Sequence, residues 1–190
     1  MRLLFLPALL IAIVIASGCV TRRADHFYAL AVQPAQSSGS HIGFARQITL
    51  HVTLPSLVDR AEMVLTTGEQ VSILEHERWA SPLPDQVIAT LGQDIEVRRT
   101  DVIIANRSLE QGKLASTKIA VEIVRWTAQR SGRLSIEARW RVTDSVSGNV
   151  SVGRDIFSAA LGADSYDQLA GALSACVAQL ADRLIAEIPS

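Results

Sequence analysis

From Arg133 to Val142 apolar and polar residues alternate without interruption. Leu134, Ile136, Ala138, Trp140 and Val142 fall on one side of an extended chain, and Arg133, Ser135, Glu137, Arg139 and Arg141 fall on the other. A period of two is the mark of a strand with one buried and one solvated face. Sheets built from such strands are characteristically antiparallel, because parallel sheets are covered on both faces. Ile119, Val121 and Ile123 alternate in the same way with Lys118, Ala120 and Glu122, and Gln129 to Gly132 supplies the turn between the two runs. A further turn at Ser145 to Asn149 leads into a third run, Val150 to Ala160, which predicts a three-strand meander.

Upstream, Ile48, Leu50, Val52 and Leu54 alternate with Thr49, His51 and Thr53 over Gln47 to Leu54, and Pro55 stops the strand. Met63 to Thr66 and Glu69 to Leu74 are two short β-like runs around Thr67-Gly68, as in a hairpin. Pro84 suits a first helical position, and Val87, Ile88, Leu91 and Ile95 form an apolar stripe that ends near Arg98-Arg99, whose charges suit a helix C-terminus. Asp164-Ser165 offers a cap for a last helix running to about Ile188, with Leu169, Leu173, Cys176, Leu180 and Leu184 along its inner face. The Ser- and Gly-rich stretch from Gln33 to Arg46 reads as a loop. This order predicts an α+β fold: a largely antiparallel sheet with a C-terminal three-strand meander and two helices packed on one face.

The start of the chain carries a different signal. Met1-Arg2 is a short basic region, and Leu3 to Ala16 holds no charged or strongly polar side chain, which matches a signal-peptide core and is short for a permanent membrane span. Ile15-Ala16-Ser17-Gly18-Cys19 then resembles the lipobox of bacterial lipoproteins, with Ala16 where most lipoboxes carry Leu. The expected organisation is a lipoprotein signal peptide over 1–18, a lipidated N-terminus with a short first strand (25–32) and a loop over 19–46, and an α+β domain over 47–190. The chain has only two cysteines, Cys19 and Cys176. Exported proteins usually pair their thiols, but acylated Cys19 needs no partner and Cys176 sits in an apolar stripe. Lipidation of Cys19 is therefore expected, and a Cys19 to Cys176 disulfide is the alternative. Buried acyl methylenes, palmitate among the usual chains, contribute about 0.8 kcal/mol each, so a three-chain anchor is in effect permanent. Val20, which is not Asp, favours the outer membrane by analogy with the enterobacterial sorting rule.

With 48% hydrophobic and 19% charged residues, the chain suits a single globular domain. Loss of Arg2 with the leader would leave basic and acidic side chains nearly balanced, so no field steers the domain onto phosphate backbones, and nucleic acid is not an expected partner. The four histidines, His26, His41, His51 and His76, show no metal-ligand spacing, and no nucleophile elbow or phosphate loop is present. No catalytic residue, metal or cofactor is expected. Glu75 and Glu77, or Asp94 and Glu96, read as ordinary surface carboxylates if helical. Arg139 and Arg141 suit either a solvated strand face or a binding patch. Trp126 and Trp140 read as core anchors of the meander. Trp79, in an irregular stretch beside prolines, either packs a corner or touches a partner.

Phe27-Tyr28-Ala29-Leu30, Leu54-Pro55-Ser56-Leu57-Val58-Asp59-Arg60 and Arg78-Trp79-Ala80-Ser81-Pro82-Leu83 occur in this order, ahead of the Arg139-Trp140-Arg141 strand, the Phe157 strand and the final helix. On these residues nearly the whole mature chain resembles the ABC-type transport auxiliary lipoprotein family, which includes the lipoprotein subunit of the paraquat-inducible intermembrane transport system. The resemblance implies a non-enzymatic subunit of a system that moves lipid or other hydrophobic molecules between inner and outer membranes. It implies attachment beneath the outer membrane, on its periplasmic side, and as partners an MCE-domain protein that spans the periplasm and an inner-membrane permease. Some relatives assemble as homo-oligomeric rings. Trp79, Leu57 and Arg60 are the expected partner contacts. A stand-alone periplasmic lipid-binding lipoprotein is the alternative.

Overall fold

The computed structural model describes residues 23–34, 46–105, 115–130, 132–162 and 166–189. In chain order the elements are β1 (His26–Tyr28), β2 (Arg46–Thr53), β3 (Glu62–Thr67), β4 (Gln70–Trp79), α1 (Leu83–Arg98), β5 (Val102–Ile104), β6 (Ala115–Ala128), β7 (Gly132–Asp144), β8 (Val150–Leu161) and α2 (Asp167–Ile185). They form a five-stranded sheet in the order β5-β2-β6-β7-β8 and a three-stranded sheet in the order β1-β4-β3. The α+β class and the β6-β7-β8 meander are as expected. Both helices pack on the larger sheet, α1 over β2 and β5 and α2 over β7 and β8, and they pack against each other.

Three pairings are parallel: β1 with β4, and β2 with both β5 and β6. The meander is therefore the antiparallel half of a mixed sheet. The hairpin is longer than its apolar runs suggest, and its loop is Gly68-Glu69, one residue later than expected, between the paired Thr67 and Gln70. Gly68 supplies the positive φ of 60° at the first loop position, as tight hairpin turns require.

Alternation sets the burial of β7. Leu134, Ile136, Ala138, Trp140 and Val142 are all buried, and Trp140 packs on Phe157 of β8 with ring centroids 6.3 Å apart. Opposite Trp140, Gly153 leaves room for the indole, because a Cβ there would lie 2.3 Å from Cζ2. From the helices, Val87, Leu91 and Ile95 of α1 and Leu169, Leu173, Cys176, Leu180 and Leu184 of α2 close the same core. Each fully buried aliphatic side chain of this kind contributes about 1.5–3 kcal/mol.

Helix boundaries differ slightly from expectation. Helix α1 starts at Leu83, so Pro84 is its second residue, and α2 stops at Ile185 rather than Ile188. Pro189 disfavours helical backbone at Ile188, and the tail turns instead toward Arg99, whose guanidinium donates to the carbonyls of Ile188 and Pro189. The expected cap at Asp164-Ser165 and most of the expected loop lie outside the described residues, and Arg46 of that loop opens β2.

Candidate interaction surfaces

Pro55 ends the inward and outward alternation of β2, and its carbonyl accepts the N–H groups of Val58 and Asp59 at 3.0 and 3.1 Å. The turn so formed buries Val58 and leaves Leu57 37% exposed. Arg60 is also exposed and reaches Glu62 at 3.1 Å, which holds the Glu62 carboxyl below the usual range.

Trp79 requires a correction. It is the last residue of β4, not part of an irregular stretch, and its ring is only 4% exposed. Its backbone N–H donates to the Ala61 carbonyl at 2.7 Å. The side chain belongs to the hydrophobic core, so of the three expected contacts Leu57 and Arg60 are the exposed ones.

Glu75 and Glu77 are likewise strand residues. Glu77 accepts the Tyr28 hydroxyl at 2.6 Å and lies 3.2 Å from His26. Burial, reinforced by this bond to a carboxylate, pushes the Tyr28 hydroxyl up to about 12. Beyond Tyr28 the chain runs across the two helices, which accept its N–H groups with side-chain oxygens: Leu30 to Gln86 (2.9 Å), Ala31 to Ser174 (3.0 Å) and Gln33 to Asp94 (3.1 Å). Asp94 is fully buried, and desolvation raises its carboxyl, although Arg98 donates to Oδ1 at 3.0 Å.

The outward side of the meander carries a row of charged side chains. Register places Glu122, Arg139 and Arg154 in one row across β6, β7 and β8, and Ala120, Arg141 and Val152 in the next. With His51 and Thr53 of β2 they line an open groove of about 800 Å³. Arg139 grips Glu122 with two bonds of 2.9 Å, and Arg154 and Arg125 both turn to Glu137. Glu137, expected on the solvated face, is thereby buried beneath two arginines. Among the described residues Arg141 and Lys118 have no acidic partner. Six basic residues, Lys118, Arg125, Arg133, Arg139, Arg141 and Arg154, thus share this face with two acidic ones, Glu122 and Glu137. Val150, Val152 and Ile156 stand exposed beside them. The face is both cationic and apolar, which suits contact with an acidic surface that also carries apolar groups.

His26 faces Glu77, His76 faces Asp25 at 3.0 Å, and His51 lies in the groove. His41 and Cys19 lie outside the described residues. Cys176 is a free thiol, fully buried in α2, and burial pushes it up to about 12.

Comparison with known proteins bears on this architecture. A crystal structure of an uncharacterized protein superposes with a TM-score of 0.71 at 20% identity, covering 88% of this chain and 100% of that one. A second, of a Xanthomonas campestris protein, gives a TM-score of 0.62 at 16% identity, covering 84% of this chain and 92% of that one. At such identities the likeness shows the fold alone. No curated protein matched in sequence. Residues 28–185 match the model of the family described as "ABC-type transport auxiliary lipoprotein component", and that span takes in every strand and helix from β2 to α2. The chain belongs to the ABC-type transport auxiliary lipoprotein family.

Proposed function

We propose that this chain is a non-enzymatic, lipid-anchored subunit of an ABC/MCE-type intermembrane transport system for lipids or other hydrophobic molecules. Cys19 carries the acyl chains, and the domain faces the periplasm from the inner leaflet of the outer membrane. There it docks an MCE-domain protein that reaches across from an inner-membrane permease, alone or as a homo-oligomeric ring. The family match over 28–185 carries this reading.

Two surfaces support a docking role. Leu57 and Arg60 project from the turn after β2, and the meander presents its cationic face, with Arg141 exposed in the groove. The groove lies open along the sheet, an arrangement that suits contact with another protein better than enclosure of a whole lipid.

Affinity purification of the acylated chain from native envelopes tests the proposal. An MCE-domain protein should copurify, and Cys19→Ala should release the chain into the soluble periplasmic fraction. Recovery of the chain with no such partner, after crosslinking, would overturn it.

A further inference from the structure

Strand β1 is three residues long and forms an edge of the smaller sheet, yet its central residue, Phe27, is 64% exposed. Its neighbour across the strand pair is Arg78, and Arg23 lies exposed just before it. A ring left this open adds little to folding, and its position in the chain is what singles it out. Asp25 is held to β4 by His76 at 3.0 Å and by Arg78 at 3.6 Å, so the domain is fixed from there onward. Asp25 lies only six positions after Cys19.

An extended chain covers at most about 3.3–3.6 Å per residue, so this tether spans no more than roughly 20 Å. A domain of this length is about 40 Å across, from the usual scaling of radius with length. A tether about half the domain's width prevents free tumbling. The edge that carries β1 must stay near the bilayer holding the acyl chains, while the meander can point away from it.

We infer that β1 is a second membrane contact, in which Phe27 enters the interfacial layer of the bilayer and Arg23 lies against its headgroups. This rests on the acylation of Cys19 proposed above. An aromatic ring with a basic neighbour suits that layer, which offers apolar depth beside anionic groups. Among the described residues the other large exposed apolar side chains lie on other elements or at the far end of β4: Leu57 in the turn after β2, Val71 and Ile73 toward the other end of β4, Val97 on α1, Val146 in the turn before β8, and Val150, Val152 and Ile156 on β8. The two apolar surfaces thus have separate occupants: lipid at β1 and protein at the meander.

The test uses the acylated full chain carrying Phe27→Cys, labelled with an environment-sensitive fluorophore. Acylation consumes the Cys19 thiol and Cys176 is buried, so the label reports on position 27 alone. In vesicles of phosphatidylethanolamine and phosphatidylglycerol, lipids brominated near the headgroup should quench the label roughly twofold or more, with a blue-shifted emission. The same label at Val71→Cys should not be quenched. Vesicle flotation read on the same sample separates the two ways of failing. A chain that floats with an unquenched label at position 27 overturns the β1 contact alone. A chain that does not float overturns the anchor, and the contact with it.

Discussion

Arg46 Nη1 lies 2.7 Å from Asp144 Oδ1, joining the first residue of β2 to the last residue of β7 across the end of β6. Thr117 of β6 accepts a second bond from the same nitrogen at 3.1 Å. Both charged groups are buried, so removing one strands the other away from water. Arg46→Met should lower Tm by roughly 6–12 °C. Thermal unfolding followed by circular dichroism measures this, and an unchanged Tm would show that the pair contributes nothing.

Asp144 also gives the fold an acid-sensitive element. The Ser147 hydroxyl, the N–H groups of Val146 and Ser147, and Arg46 together hold its carboxyl at about 2, below the ordinary 3.8. A folded-state value below the unfolded one means that its stabilisation is complete above pH 3.8 and is lost as pH falls toward about 2. Asp94 has the opposite sign: burial raises its carboxyl, so its contribution is present below 3.8 and declines as pH rises through the folded value. Urea midpoints across this acid range should therefore fall less steeply on acidification in Asp144→Asn and more steeply in Asp94→Asn.

Gly153→Ala places a methyl group against the Trp140 ring, at 2.3 Å from Cζ2 if nothing moves. Overpacking of this kind costs about 1–3 kcal/mol. The displaced indole would also shift from beneath Arg183, whose guanidinium lies 5.4 Å from the ring centroid. Urea unfolding and tryptophan emission should change together; a change in neither would mean that β8 moves freely.

Charge reversal on the open face separates folding from docking. Arg141 is exposed and has no acidic partner among the described residues, so Arg141→Glu should leave stability within about 0.5 kcal/mol of the parent. Copurification of the MCE-domain partner should nevertheless fall severalfold, and Leu57→Asp tests the turn after β2 in the same way. Equal recovery with both variants would remove these two surfaces as the contact.

The Cys176 thiol should stay unreactive in the native protein. Burial pushes it up to about 12, and no solvent reaches its sulfur. Ellman's reagent should detect it only after denaturation, and rapid native labelling would indicate that α2 opens.

Local order along the chain determined the elements that depend on neighbouring residues. Alternation over 133–142 identified the buried and solvated faces of β7, and it placed Arg139 and Arg141 on the surface where the groove lies. The stripe from Leu169 to Leu184 likewise identified the inner face of α2. The polar run Glu75-His76-Glu77-Arg78 concealed the continuation of β4, so Trp79 seemed to belong to a loop. Only pairing with β1 and β3 reveals those residues as strand.

The remaining features depend on residues far apart in sequence. Arg46 and Asp144 stand 98 positions apart, and Gln33 and Asp94 stand 61 apart. Glu137 alternates like an exposed residue but is buried because Arg154 of the next strand and Arg125 of the previous one close over it. Parallel pairing of β2 with β5 and β6 leaves no mark on local periodicity, since an inward-facing residue has the same spacing whichever way its neighbour runs. Sequence by itself determined which side is apolar in the elements with a clear period, β2, β6, β7 and the two helices, because the period of side-chain directions in a strand or helix is fixed by its backbone. Tertiary structure decided which strands meet, which charges are buried and which apolar side chains stay in water, because those outcomes depend on what packs against each face.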